Sequence, residues 1–254
     1  MPSTPTIDSA ARALASSQRL LVLSGAGLSA ESGIPTFREA QTGLWAQFSP
    51  QDLATPEAFA ANPERVWAWY RWRRTLIARG GVNAGHRAIA ALERHMDVVI
   101  ATQNVDGLQS TAGSRDVSEL HGNIWIDRCS ECGDERRQTV AEADEQAPIP
   151  TCQACGAGMR PGVVWFGEML PMAALERAQA ELDRCDCVLV VGTSNQVYPA
   201  AALVEMAVDG PTPVIEVNPQ ATAVSPCVDV HIAETASLAL PALVDRLDAM
   251  RTAR

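Results

Sequence analysis

Residues 19–33, RLLVLSGAGLSAESG, begin with a continuous apolar run and pass into a glycine-rich turn. A buried parallel strand that enters a phosphate-binding loop has this form. Three later segments repeat it, namely MDVVIATQNVDGL at 96–108, CDCVLVVGTS at 185–194 and TPVIEVNP at 212–219. Segments with apolar residues at helical spacing separate them, such as 84–96 and 170–185. This alternation predicts an α/β fold, with a parallel sheet covered by helices on both faces.

Two regions interrupt the alternation. Thr55-Pro56 and Asn62-Pro63 are each typical of an N-cap residue followed by proline at the first helical position, so a helical insertion is predicted at about 49–83. A second insertion, at about 124–165, carries two cysteine pairs and no helix of useful length. We predict a single domain over 1–254. Its Rossmann-like core covers about 8–48, 84–123 and 166–250, and the two insertions form a smaller lobe.

Composition narrows the classes of function. The net charge of −10 offers no basic surface for a phosphate backbone, which argues against a nucleic-acid partner. The N-terminal residues lack the charged and apolar regions of a signal peptide, and the apolar runs are too short to span a membrane. We therefore expect a cytoplasmic protein with no membrane partner.

The cysteines divide into two groups. Cys129, Cys132, Cys152 and Cys155 follow the pattern C-x2-C-x19-C-x2-C, which predicts one structural Zn²⁺ held by four thiolates; two redox dithiols are the alternative. Four thiolates leave the metal no open position for chemistry. Cys185, Cys187 and Cys227 lie on or near predicted core strands and are interpreted as small buried apolar residues.

Polar and small residues follow the predicted strands at their carboxyl ends, where ligands of open α/β sheets bind. Gly25, Ala26 and Gly27 open onto a predicted helix, where backbone N–H groups can approach a phosphate. The next glycine is Gly33, so the G-x-G-x-x-G spacing is not met. The other candidates suit a carboxamide, a ribose or a phosphate, although several are also ordinary turn formers; they are Gln103, Asn104, Asp106, Gly192, Thr193, Ser194 and Asn218.

His121, in ELHGN at 119–123, is one of four histidines. An imidazole titrates near working pH, as a general base requires, although a lone histidine is more often structural.

Six segments resemble the sirtuins, the NAD-dependent protein lysine deacylases, and occur in the order of that family. They are GAGLSAESGIPTFR at 25–38, TQNVDGL at 102–108, His121-Gly122, the four cysteines, VVWFGE at 163–168 and GTSNQVYPA at 192–200. The resemblance runs from about Arg19 to Leu240, with one departure at Gln109, where the family commonly has histidine. It implies that NAD+ is the cofactor, that His121 is the general base, and that nicotinamide and 2′-O-acyl-ADP-ribose are products. It also adds Ser29, Gly33, Pro35, Phe37 and Arg38 to the cofactor-binding residues.

The resemblance also implies an acyl-lysine site. In sirtuins the extended run matching Val163, Val164, Trp165, Phe166 and Gly167 pairs with the substrate backbone, and its aromatic residues line the acyl-lysine channel. An internal strand is the competing interpretation for Val163.

The segment VWAWYRWRRTL at 66–76 indicates the acyl preference. On a helix that starts at Pro63, Tyr70 and Arg73 share one face. The pair resembles the Tyr-x-x-Arg signature of class III sirtuins, which accept succinyl- and malonyl-lysine, and Ala54 resembles a small residue that widens their pocket. Three alternatives stay open: a deacetylase without this preference, a protein ADP-ribosyltransferase, and a nucleic-acid adaptor that senses NAD+. Trp67, Trp69 and Trp72 are interpreted as helix packing.

Overall fold

The computed structural model describes residues 4–35, 45 and 47–252. Its strands are β1 (Arg19–Ser24), β2 (Asp97–Thr102), β3 (Val117–Glu119), β4 (Gly122–Cys129), β5 (Glu135–Arg137), β6 (Met159–Val163), β7 (Cys187–Val191), β8 (Val214–Val217) and β9 (Val230–Ile232). Its helices are α1 (Thr4–Ala15), α2 (Gly27–Ala30), α3 (Pro50–Leu53), α4 (Pro56–Ala61), α5 (Pro63–Gly80), α6 (Ala84–Leu92), α7 (Leu108–Thr111), α8 (Met172–Leu182), α9 (Ala200–Asp209) and α10 (Ala236–Thr252).

Six strands form the main sheet, in the order β3-β2-β1-β7-β8-β9. Every neighbouring pair is parallel. Successive side chains of β1 point to opposite faces, so Leu20 and Val22 pack under α1, α6 and α10, whereas Leu21 and Leu23 pack under α8 and α9. Apolar side chains of the helices cover both faces of the sheet, and this explains why the central strands have continuous apolar sequences. The predicted α/β fold is confirmed.

The helical insertion is built by the two predicted caps. The Thr55 hydroxyl accepts a hydrogen bond from the backbone N–H of Ala58 at 3.1 Å, and Asn62 Oδ1 accepts one from Arg65 at 3.0 Å. Each cap is followed by proline, which starts α4 and α5 respectively. Helix α5 then runs through the whole aromatic segment at 66–76.

The second insertion forms an antiparallel sheet in the order β5-β4-β6. Helix α5 is attached to it through buried polar contacts. The Trp67 indole donates to the Met159 carbonyl at 2.9 Å, and Arg74 Nη2 lies 2.7 Å from Asp127 Oδ1. The two insertions therefore pack together as one lobe beside the main sheet, which we propose as the smaller part of the single predicted domain.

Two of the three remaining cysteines have the predicted environment. Cys185 and Cys187 are buried, but Cys227 is exposed, so its interpretation as a buried apolar residue is wrong. Cys227 ends a short 3-10 turn, Ser225–Cys227, that precedes β9 and lies on the surface instead of in the strand. Among the described helices, none combines the length and apolarity that crossing a bilayer demands.

Candidate active site

A cavity of about 710 Å³ lies between the lobe and the carboxyl ends of the central strands. The predicted cofactor and catalytic residues that line it are Gly25, Ala26, Gly27, Ser29, Pro35, Gln103, Asn104, Asp106, His121, Gly192, Thr193, Ser194 and Asn218. The predicted substrate-binding residues line it too, and they are Ala54, Tyr70, Arg73 and all five residues of the 163–167 run. Gly33 does not line the cavity, and Phe37 and Arg38 lie outside the described residues.

Glycines at the sheet edge allow two loops to touch. The N–H of Gly27 donates to the Gly192 carbonyl at 2.7 Å. A Cβ on Gly192 would lie 2.3 Å from the Leu28 nitrogen, and the φ of Gly192 is 60°. The close approach of the loops after β1 and β7 thus requires glycine, whatever the ligand.

A buried chain of hydrogen bonds fixes the loop after β2. His86 Nδ1 accepts the N–H of Asn83 at 3.3 Å, so its Nε2 carries the hydrogen and faces Ser29 Oγ at 3.3 Å. Ser29 Oγ donates to Asp106 Oδ2 at 2.8 Å and accepts from Asn104 Nδ2 at 3.1 Å. Burial lowers the pKa of His86, which favours the neutral ring that this chain needs. The sequence pattern did not single out His86; the N-cap residue Asn83, which orients it, is the signal that could have done so.

His121 has the geometry of a general base. Its Nδ1 lies 2.9 Å from the backbone oxygen of Gln103. Because a carbonyl only accepts, Nδ1 carries the hydrogen and Nε2 of the neutral ring keeps its lone pair. Burial lowers the pKa of His121, although the Gln103 carbonyl opposes that shift. The ring is therefore neutral near pH 7 and able to take up a proton.

Amide side chains connect three strand ends around this histidine. Gln103 Nε2 donates to Thr193 Oγ1 at 3.1 Å, and Asn218 Nδ2 donates to the Thr193 carbonyl at 2.9 Å. The loops after β2, β7 and β8 are thereby held in one arrangement. These polar side chains at the strand ends can form hydrogen bonds with the hydroxyl and amide groups of a nucleotide.

The Tyr70–Arg73 pair of α5 also forms part of the cavity wall. Tyr70 is 4% exposed, and burial raises its pKa to about 12, so the hydroxyl stays protonated. Desolvation lowers the pKa of Arg73, whereas Tyr70 and Asp106 raise it. A guanidinium remains charged under these conditions. Tyr70 and Arg73 therefore present donors to a ligand in this part of the cavity.

The run 163–167 is fixed by its own backbone. The N–H groups of Val164 and Phe166 donate to the carbonyls of His121 and Ala54 at 2.8 and 2.9 Å. The N–H of Trp165 donates to Glu168 Oε2 at 2.8 Å. Backbone pairing with a substrate along 164–166 would accordingly use the carbonyl groups. Val163 is the last residue of β6 and also lines the cavity. Its interpretation as part of an internal strand is therefore compatible with its interpretation as a cavity residue.

Several lining residues were not predicted. They are Ile34, Val105, Glu168, Leu170, Gln196, Val197, Tyr198, Pro199, Gln220, Ala221, Thr222 and Ala223. Most of them follow β7 or β8, so their position after the end of a strand was the sequence signal that could have predicted them. Gln109, the departure from the family pattern, is buried and does not line the cavity.

The four predicted metal ligands lie together in the lobe. Their sulfur atoms are all within 4.8 Å of one another, and the Cys129–Cys155 and Cys132–Cys152 pairs are 3.5 and 3.6 Å apart. Four sulfurs around zinc at about 2.3 Å would stand about 3.8 Å apart, so the cluster fits a tetrahedral ion.

Comparisons with known proteins agree with this geometry. Residues 25–199 match the model of the Sir2 family. The chain is 49% identical over 232 residues to "NAD-dependent protein deacylase Sir2" of Mycolicibacterium smegmatis, covering 90% of this chain and 96% of that protein. A solved Sir2 homologue in complex with NAD is similar at 42% identity and a TM-score of 0.89, over 96% of this chain and 94% of the other. The structure of Sir2Af2 bound to a myristoylated histone peptide is similar at 34% identity and a TM-score of 0.82, over 99% and 100%.

Proposed function

The chain belongs to the Sir2 family, and on that basis we propose that it is an NAD-dependent protein lysine deacylase that prefers acyl groups ending in a carboxylate, such as succinyl and malonyl. One observation carries the preference: Tyr70 and Arg73 line the same cavity as His121. The named activity of the Mycolicibacterium relative supports the reaction class. The acylated peptide bound to a structural neighbour supports acyl-lysine as the substrate.

The donor set of the cavity fits NAD+. Glycine lets the loops after β1 and β7 meet at the cavity wall, and the amides of Gln103, Asn104 and Asn218 can meet a carboxamide and ribose hydroxyls. A volume of about 710 Å³ is large enough for a dinucleotide and an acyl chain together. When bound, NAD+ supplies an electrophilic ribose carbon with nicotinamide as leaving group, so that the acyl group ends as 2′-O-acyl-ADP-ribose.

His121 would take the proton that this transfer releases. Its Nε2 has the free lone pair, and the Gln103 carbonyl fixes the tautomer and the direction of the ring. The buried His86–Ser29–Asp106 chain holds Asp106 and Asn104 in place in the wall of the same cavity. These residues position the cofactor's reacting end, whereas His121 performs the proton transfer.

The acidic preference follows from unequal pairing. A carboxylate at the end of the acyl chain can accept from the Arg73 guanidinium and the Tyr70 hydroxyl, which are charge-assisted hydrogen bonds. An acetyl group offers no carboxylate of its own to the Arg73 guanidinium and the Tyr70 hydroxyl in this desolvated place. Hydrogen bonds to charged groups contribute about 1.5–3 kcal/mol, so a preference of about 10- to 100-fold is expected.

The experiment is incubation with NAD+ and a panel of acetyl-, succinyl-, malonyl- and glutaryl-lysine peptides, read by mass. We expect loss of the acyl mass and a succinyl-to-acetyl ratio of kcat/KM well above one, which Arg73→Met removes. Arg79→Met is the matched control, because Arg79 is exposed on the same helix and does not line the cavity. A gain of ADP-ribose on the peptide would contradict deacylation. Equal rates on all acyl chains, or a preference that survives Arg73→Met, would contradict the role of the pair.

A further inference from the structure

Trp165 makes a directional contact with the acyl-binding pair. Its indole nitrogen Nε1 lies 3.0 Å from the Tyr70 hydroxyl oxygen, and the two side chains are 2% and 4% exposed. An indole N–H can only donate, so the hydroxyl oxygen must accept. The single hydroxyl hydrogen is therefore not used in this bond. Within the described residues it is the only hydrogen bond of the hydroxyl.

A guanidinium group and a second aromatic ring contact the indole of Trp165. The guanidinium carbon of Arg160 lies 3.4 Å from the Trp165 ring centroid, and the ring of Phe59 lies 5.3 Å away. Arg160 is itself fixed, because its Nη2 donates to Glu168 Oε2 and to the Val163 carbonyl, both at 2.9 Å. Glu168 also accepts the backbone N–H of Trp165. The direction of the indole N–H is thus set by the Arg160–Glu168 ion pair and by stacking on the indole ring.

We propose that Trp165 is a positioning residue for acyl selectivity, because its N–H occupies one side of the Tyr70 oxygen and leaves the hydroxyl hydrogen for the distal carboxylate of an acidic acyl group. This inference rests on the proposed function. The hydroxyl hydrogen cannot point at the Trp165 N–H, because two donors do not pair with each other. It is therefore available to a ligand carboxylate held by Arg73, which lines the same cavity.

The test is Trp165→Phe, which keeps an aromatic ring and removes the N–H. We expect the succinyl-to-acetyl ratio of kcat/KM to fall about three- to ten-fold, since part of a charged hydrogen bond is lost. The change should lie mainly in the KM for succinyl peptide, because the Tyr70 hydroxyl binds the carboxylate without taking part in proton transfer. An unchanged ratio would overturn the proposal.

Tyr70→Phe separates positioning from packing. If Trp165 acts through the Tyr70 hydroxyl, Trp165→Phe should lower the ratio in the wild-type background and leave it unaltered in the Tyr70→Phe background. Equal reductions in both backgrounds would mean that Trp165 acts by shape, and the proposal would be wrong.

Trp67→Phe is the matched control for the loss of a buried indole hydrogen bond. Its N–H donates to the Met159 carbonyl at 2.9 Å, and Trp67 does not line the cavity. We expect it to lower the melting temperature but not the ratio. Should Trp165→Phe fail to fold, benzothienylalanine at position 165 removes the same N–H with nearly the same ring shape, and the same ratio decides.

The outcomes also distinguish this inference from the proposed function. If the wild type has no succinyl preference, the proposed function fails. If the wild type prefers succinyl and Arg73→Met removes the preference, while Trp165→Phe leaves it intact, only the role of Trp165 fails.

Discussion

Replacing Asp127 by asparagine tests the attachment between helix α5 and the sheet of the lobe. Asp127 Oδ1 lies 2.7 Å from Arg74 Nη2, and Oδ2 accepts from Arg136 at 3.0 Å and from Gln138 at 2.5 Å. The side chains of Arg74 and Asp127 are only 9% and 1% exposed. Asparagine at position 127 would remove the negative charge. It would also replace one carboxylate oxygen by an NH2 group, which would face the N–H donors of Arg74 or of Arg136 and Gln138.

The size of the effect follows from this burial. Breaking a buried ion pair by neutralising one partner costs about 3–5 kcal/mol, since the other charge is left uncompensated. For a chain of this length the melting temperature should fall on the order of 10 °C. Glu135→Gln in the same sheet is the control: its pair with Arg128 spans 3.7 Å and is more than half exposed. Such a surface pair contributes about 0–1 kcal/mol.

The assay is urea denaturation of the zinc-loaded protein, followed by tryptophan fluorescence, with thermal melts in parallel. Because α5 carries several tryptophans, the fluorescence reports on this attachment. We expect a large shift of the midpoint for Asp127→Asn and a negligible one for Glu135→Gln. A loss of less than about 1 kcal/mol for Asp127→Asn would refute the electrostatic account, as would equal losses for the two variants.

Two further outcomes are expected. Burial lowers the pKa of His121, so the ring stays neutral as the pH falls through about 6.5, the ordinary pKa of histidine, and the acid decline of kcat/KM should begin below that pH. A decline centred above pH 6.5 would contradict the lowered pKa. His121→Ala should reduce kcat/KM about 10²–10⁴-fold. Cys152→Ser should release zinc, measured by elemental analysis, and unfold the lobe, while Cys227→Ser at the exposed site should do neither.

The main sheet could be predicted because its strands are buried on both faces and alternate with helices. β1, β2, β7 and β8 all appear as apolar runs that end in glycine or polar turns. The short edge strands, β3 and β9, lack such runs, and Cys227 was misplaced for that reason. An edge strand has partners on one side only, so its composition is less constrained.

The site was predictable where a residue's position along the chain also fixes its position in space. Strand ends predict that Gln103, Asn104 and Thr193 lie together, because parallel strands deliver their carboxyl ends to one edge, and all three line the cavity. His86 comes from a helix, and its role depends on the tautomer that Asn83 imposes. Arg160 acts through stacking on Trp165. Neither contact has a spacing rule along the chain, so only the folded structure reveals it.

Helix α5 explains why the aromatic and arginine-rich segment has its composition. Trp67, Arg71 and Arg74 recur at helical spacing and share one face of α5. Both guanidinium groups lie within 5.6 Å of the Trp67 ring centroid, and Arg74 forms an ion pair with Asp127 in the sheet of the lobe. Tyr70 and Arg73 fall on another face, which borders the cavity. One face therefore anchors the helix to the sheet of the lobe, while the other borders the cavity, where we propose that it selects the acyl group. A helix that only had to pack would not need the buried Arg74, because burying a guanidinium costs free energy unless a partner such as Asp127 is supplied. We infer that this anchoring keeps Tyr70 and Arg73 at a fixed distance from His121.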